Sequence, residues 1–201
     1  MSVDSCYDCN VQAKKGKVLA GRVEGGVLKK GEKLVVKPIN LEVTVKDLHV
    51  GDQQVAMAFP GDICDVLVTL KKEKDWNLVH KGCFLSSVKF QVPTARIFLA
   101  EVKLYELKDP ILKGTRVNMH LCGFVEGGIF SRLYKIFDTA TREVKKKHPR
   151  FLTSFQSAEI EITVDREICL EIFSNFSSLG RFQFRDKGRS LGDGRILKIL
   201  K

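Results

Sequence analysis

Nowhere in its 201 residues does this sequence hold an apolar run near the roughly 20 residues that a membrane-spanning helix needs; Ile97-Phe-Leu-Ala100 is typical of what it offers. The N-terminus, Met-Ser-Val-Asp-Ser-Cys, lacks the charged-then-apolar layout of a secretory signal, so a soluble, cytoplasmic protein is expected. No Gly-x-x-x-x-Gly-Lys-Ser/Thr follows a strand, which excludes a backbone cradle for nucleotide phosphates. No His-Glu-x-x-His occurs. His49, His80, His120 and His148 stand singly, without a serine or cysteine and a positioned carboxylate in any recognisable motif. Catalytic residues, metal ligands and cofactors are therefore all expected to be absent from this chain.

Cysteine use is equally uninformative for chemistry. Cys64, Cys83, Cys122 and Cys169 sit in apolar, strand-like stretches where a reduced thiol serves as a small core residue. Cys6-x-x-Cys9 has the spacing of half a zinc knuckle, but no second pair completes it. Asp62 and Asp65 flank a strand start and read as turn and solvent residues.

What the chain does contain is short alternating segments. Hydrophobic residues make up 44%, and no low-complexity tract interrupts them, so the chain has the means to fold. Strand-like pieces separated by turn residues at roughly 8–12-residue spacing describe a sandwich or a barrel, and no long helical period appears. Lys17–Val23, Lys33–Pro38 and Leu41–His49 read as strands, the second ended by a proline that cannot donate to a ladder. Pro60-Gly61 turns the chain into another strand through Val68, and Leu78–Leu85 repeats the strand-turn-strand texture up to a boundary at Val92/Pro93.

Beyond that boundary the strands are Arg96–Val102, Arg116–Cys122, Ser131–Phe137 and Ser157–Val164. Asp138–Leu152 carries a polar hairpin tip and a four-cation cluster with one histidine: Lys145, Lys146, Lys147, His148 and Arg150. Phe182 and Phe184 alternate with Arg181, Gln183 and Arg185, which places aromatics on one face and cations on the other. The interval Gly188–Gly194, with three glycines, reads as a flexible connection into a last strand of Ile196, Leu197, Ile199 and Leu200.

Charge follows the same division. Residues 1–92 carry 14 Lys plus Arg against 11 Asp plus Glu, net +3; residues 93–201 carry 20 against 13, net +7. A basic surplus suits nucleic acid, an acidic partner or simple solubility and does not choose among them.

The C-terminal string, Cys169-Leu-Glu-Ile-Phe173 followed by Leu179-Gly-Arg-Phe-Gln-Phe-Arg-Asp-Lys-Gly188 and a closing Ile/Leu strand, resembles the last barrel of the elongation factor Tu superfamily of translational GTPases. Gly21-Arg-Val-Glu-Gly-Gly-Val-Leu-Lys-Lys-Gly-Glu32, Pro60-Gly-Asp62 and Lys81-Gly-Cys-Phe-Leu85, in that order, resemble the superfamily's second domain. The resemblance covers all but about the first fifteen residues and departs at Gly192-Asp193, where an apolar or small pair usually stands. It implies an all-β chain of two consecutive antiparallel β-barrels: residues 1–92 like domain 2 of elongation factor Tu, and residues 93–201 like its C-terminal domain 3. Because the superfamily carries its nucleotide domain ahead of these barrels, it also implies a C-terminal piece of a GTPase, with GTP and Mg²⁺ bound elsewhere.

Three branches compete for the assignment. Pro110-Ile-Leu-Lys-Gly114 and the lysine-rich Thr141–Thr153 segment resemble the Hbs-type ribosome-rescue GTPase, whose partner is Pelota; Arg185-Asp186-x-Gly188 is closer to the GTPase that partners the class one release factor; the third branch delivers aminoacyl-tRNA. The resemblance places partner contacts at Arg181, Phe182, Arg185, Asp186 and Lys187. The alternative is that Arg181 and Arg185 merely pair with Glu171 or Asp186. Lys145, Lys146, Lys147 and Arg150 are candidates for ribosomal RNA phosphates, or else form a solvated hairpin. Arg22 and Glu24, with Gly21, Gly61 and Asp62, lie on the face that neighbours the tRNA acceptor end in delivery factors; in an Hbs-type protein that face would meet the small ribosomal subunit. A free-standing RNA-binding double barrel remains the alternative from a different class.

Overall fold

Alternation of apolar and polar residues over short segments calls for one face of each strand to be buried, against a second sheet or by the sheet curling onto itself, and here the sheet curls onto itself twice. The structure, a computed structural model, describes every residue except Gln12, Ala13, Lys71, Lys72, Thr139 and Ala140, and side chains other than those of residues 9–15 and 71–74 in these neighbourhoods. The chain divides into two compact units, Met1–Val92 and Pro93–Lys201.

In the first unit the strands are β1 (Ser2–Val11), β2 (Lys14–Arg22), β3 (Leu28–Lys29), β4 (Lys33–Lys37), β5 (Leu41–Val50), β6 (Gln53–Val55), β7 (Met57–Ala58), β8 (Ile63–Leu70) and β9 (Phe84–Ser87). They pair in the order β4-β9-β1-β2-β8-β5, and β4 pairs back onto β5, so six strands close a ring with β6 outside it. Inward positions hold Val3, Leu19, Val36, Val43, Val45, Leu48 and Val66, among others.

Two local readings change here. β1 was not foreseen, since Asp4, Ser5 and Asp8 dilute its alternation; it earns its place by pairing with β2 along its length and with β9 at Ser2. Residues 78–80 are not a strand: Glu73–Leu78 forms a 3₁₀ turn, and the chain becomes extended only at Phe84. Trp76 from that turn is buried in the core.

The second unit comprises β10 (Thr94–Leu104), β11 (Ile111–Leu112), β12 (Arg116–Leu121), β13 (Phe124–Phe137), β14 (Val144–Lys147), β15 (Phe151–Leu152), β16 (Ser157–Cys169), β17 (Arg181–Asp186) and β18 (Arg189–Ile199). The order β12-β17-β18-β10-β16-β13 closes through β12–β13, with β14 outside the ring. The fold is thus all-β, with two closed six-stranded antiparallel barrels and no α-helix among the described residues.

The Gly188–Gly194 interval is not the connection the sequence suggested. The turn is confined to Lys187 and Gly188, both at positive φ (45° and 79°), the two-residue geometry that matches strand twist. Gly192 and Gly194 lie inside β18, opposite Phe184 and Phe182. A Cβ on Gly194 would sit 2.3 Å from the Phe182 ring, and one on Gly192 2.6 Å from the Phe184 ring. These glycines are therefore spaces into which the phenylalanines fit. The rings then meet Phe98 and Phe130 edge-on, with centroids 5.9 and 5.3 Å apart, arrangements that contribute about 0.5–1.5 kcal/mol each beyond area burial.

Cys64, Cys83 and Cys169 are buried as expected for core thiols; burial, above all, pushes the Cys64 thiol up to about 11. Cys122 departs from that expectation. It lies half-buried in the β12–β13 turn at a φ of 38°, where its Sγ donates to the Ser178 carbonyl. The side chain of Cys9 falls outside the described residues.

Gly194→Ala is expected to destabilise the protein by roughly 1–3 kcal/mol, the usual cost of overpacking a dense core. Urea unfolding monitored by near-ultraviolet circular dichroism measures it, and an unchanged midpoint would show that the Phe182 ring does not need the space.

Candidate partner-binding site

On β17 the alternation turns Phe182 and Phe184 inward and Arg181, Gln183 and Arg185 outward. Phe182 is therefore removed from the directly contacting set: it is 4% exposed and acts by holding the strand. Asp186 and Lys187 are exposed at the hairpin end. Arg185 does not pair with Asp186. Its Nη2 donates to the Gly188 carbonyl at 2.8 Å, across its own turn, and its Nε is buried without a partner. Glu171 is likewise engaged elsewhere, accepting from the Ile172 amide and from Asn175.

Arg181 instead lies over the ring of Phe173, 4.9 Å from its centroid, and Arg195 approaches the same ring at 6.0 Å. Phe173 is fixed by its own N–H, which donates to the Ile196 carbonyl, and by Gly180, where any Cβ would strike the Phe173 backbone at 2.3 Å. Cross-strand register does the rest: Arg181 stands opposite Arg195, and Arg195 opposite Glu101. Arg195 contacts Glu101 at 2.8 Å, and Arg142, from the segment after β13, contacts its other oxygen at 2.5 Å. Burial alone would push the Glu101 carboxyl up; hydrogen bonds and charge from Arg195, then from Arg142, outweigh it and hold the carboxyl below its ordinary value. Burial, and then the nearby Asp193 carboxylate, push the Tyr105 hydroxyl above its ordinary value.

Sequence reasoning named Arg181 and Arg185 but gave no role to Phe173, Glu101, Arg142 or Arg195. Phe173 was within sight, as the last residue of the quoted Cys-Leu-Glu-x-Phe string. Phe155 had no sequence signal. It is 70% exposed and holds a φ of 61°, a backbone state that a bulky side chain rarely adopts.

The lysines lie on β14, the second strand of the β13–β14 hairpin, beyond the turn in which the Asp138 N–H donates to the Glu143 carbonyl. Lys147 opposes Lys135 and Lys146 opposes Ile136 across β13–β14, so the pleat sends neighbouring lysines to opposite sides. Arg150 follows beyond the buried Pro149. All four cations are exposed.

In the first unit Arg22 is exposed, while Glu24 accepts from the Ser2 hydroxyl at 3.0 Å. Beside them the Phe59–Asp62 turn has Gly61 at a φ of 98°, and Val23 exchanges backbone hydrogen bonds with Gly61 and Asp62. The exposed apolar residues Val27, Met57, Phe59 and Ile63 belong to these same segments, a feature the sequence reading did not single out. Among the described residues no three His, Cys, Asp or Glu side chains are grouped to hold a metal ion.

Residues 97–197 match the family model described as "GTP-eEF1A C-terminal domain-like". Over 184 residues the chain is 33% identical to "Protein HBS1" of Drosophila melanogaster, covering 92% of this chain and 27% of that protein. Over 186 residues it is 30% identical to the "Eukaryotic peptide chain release factor GTP-binding subunit" of Schizosaccharomyces pombe, again 92% and 27%. Among solved structures, that of sup35 complexed with GDP superposes with a TM-score of 0.88 at 30% identity, covering 100% of this chain and 47% of that one. Translation elongation factor SelB from Methanococcus maripaludis, at 18% identity and a TM-score of 0.76 over 42% of its chain, shares the fold. The chain thus spans about a quarter of the length of these curated relatives and under half of these solved chains.

Glu101→Gln leaves the facing arginines without their anion and is expected to cost roughly 1 kcal/mol at pH 7, given the partial exposure of both partners. Because the folded carboxyl sits below its ordinary value of 4.5, the folded state binds fewer protons than the unfolded state, and this contribution is present above that value and lost as pH falls below it. Calorimetric unfolding across pH should therefore show wild type and variant converging in acid; a gap independent of pH would disprove the ion pair's role.

Proposed function

Given that the chain belongs to the GTP-eEF1A C-terminal domain-like family, we propose that it is the partner- and ribosome-binding region of an Hbs-type translational GTPase, docking Pelota for the rescue of stalled ribosomes and mRNA surveillance in the cytoplasm. The observation that carries this reading is the outward face of β17 and β18, where Arg181 and Arg195 flank Phe173 on a surface not used for core packing. The 33% identity with Protein HBS1 favours the rescue branch.

The mechanism is recognition. A rigid barrel holds its outward side chains in fixed register, so a partner meets a preorganised surface and little ordering entropy opposes binding. Outward cations accelerate encounter with an acidic surface and make it salt-dependent. The exposed lysines of β14 and Arg150, and on the first unit Arg22 and Glu24, are proposed as the ribosome-facing contacts. GTP and Mg²⁺ are proposed to be held, and GTP hydrolysed, by a nucleotide domain outside the described residues.

A second reading, termination in partnership with the class one release factor, is favoured by the 30% identity with the release factor GTP-binding subunit. Calorimetric titration with purified Pelota and, in parallel, with the class one release factor, at two salt concentrations, separates the two. Pelota is expected to bind, more weakly at higher salt, and the double variant Arg181→Glu/Arg185→Glu to weaken it at least tenfold, ~1.4 kcal/mol. Binding of the release factor alone would move the protein to termination, and binding of neither would leave tRNA delivery or a purely ribosome-facing role.

A further inference from the structure

Arg181 and Arg195 face each other directly on adjacent antiparallel strands, a relation in which like charges destabilise a sheet. Their surroundings leave that repulsion only partly answered. Arg195 shares the single carboxylate of Glu101 with Arg142. Arg181 makes no ion pair with any described residue; its guanidinium carbon lies over Phe173, 4.9 Å from the ring centroid. A guanidinium held over an aromatic ring by its cation–π attraction still keeps N–H donors available for a ligand.

These groups border a depression of about 480 Å³, within the size range of ligand sites. Its charged lining consists of Lys103, Arg142, Arg181 and Arg195 against Glu101 and Asp193, four cations to two carboxylates, so two positive charges are uncompensated. The site is concave, has an aromatic floor and holds a free, oriented fork of donors.

We propose that this depression receives one carboxylate side chain, from an aspartate or glutamate of a protein partner, gripped bidentately by Arg181 against Phe173. The proposal rests on the reading that β17 faces a protein partner, and adds which chemical group of that partner is recognised. A carboxylate fits better than a nucleic-acid phosphate because Glu101 and Asp193 stand in the wall. They repel a polyanionic backbone with its successive charges, whereas one carboxylate on an aliphatic stem offsets one of the two excess charges and lays its stem on Phe173. Binding also relieves the Arg181–Arg195 repulsion, so the fold's own electrostatic imbalance favours occupancy.

The test is a two-dimensional NMR titration of the isotopically labelled chain with a capped hexaglutamate peptide and, separately, with a six-residue uridylate RNA. The peptide is expected to shift the Arg181 Nε–H and Gly194 amide signals saturably, and Arg181→Lys, which keeps the charge but loses the fork, to weaken that binding at least fivefold with an unchanged melting temperature. RNA shifting these signals while the peptide does not would overturn the proposal in favour of phosphate, and peptide shifts confined to Lys145–Lys147 would overturn it outright. The same variant tested against Pelota separates the two levels: Pelota binding unaffected by Arg181→Lys removes the pocket and keeps the rescue reading, whereas a peptide-binding pocket in a chain that ignores Pelota keeps the pocket and removes the rescue reading.

Discussion

Phe182 and Phe184 lie in the space that Gly194 and Gly192 leave open, and the outward chemistry of the second barrel depends on that fit. A strand has two faces and a period of two, so fixing the inward residues fixes the outward ones. With both rings seated, Arg181, Gln183 and Arg185 must point outward, and Arg195 and Asp193 must stand beside them. A slip of one residue would bury three polar side chains and expose two aromatics, which is why the register here is strongly specified. Packing inside the barrel and recognition outside it are one constraint viewed from two sides.

The charges on that outer face are assembled from distant parts of the chain. Glu101 joins Arg142, 41 residues away, to Arg195, 94 residues away. Neither pair is strong in isolation, since both arginines are substantially exposed. Their combined effect is geometric: they fix one wall of the depression while Phe173 fixes its floor. Arg181 is left as the group whose hydrogen-bonding capacity exceeds what the barrel supplies.

Much of this architecture was legible in the sequence because alternation survives in most strands and because turn residues carry their own backbone requirements. Pro60-Gly61 announced its turn for reasons of φ alone. Two kinds of feature escaped. β1 has too little alternation to stand out, and its strand character comes from neighbours on either side. Gly192 and Gly194 were read as freedom when they are absence of volume, a distinction visible only once the opposing aromatic is known. The pocket was illegible for a similar reason: Glu101, Arg142, Phe173 and Arg195 acquire meaning from strand register, which no local window contains.

Closure of the two rings through β4–β5 and β12–β13 has an evolutionary consequence. In each ring many of the backbone donors and acceptors between the described strands are already matched, though β1 meets β9 only at Ser2, so open edges such as those of β6 and β14 are where a foreign segment can extend a sheet, and the lysines of β14 guard one of these. Recognition must then be written in side chains that project from a scaffold they do not help to hold together. Such a fold can change what its surface binds by substituting a few outward residues while its hydrogen-bonded frame stays the same.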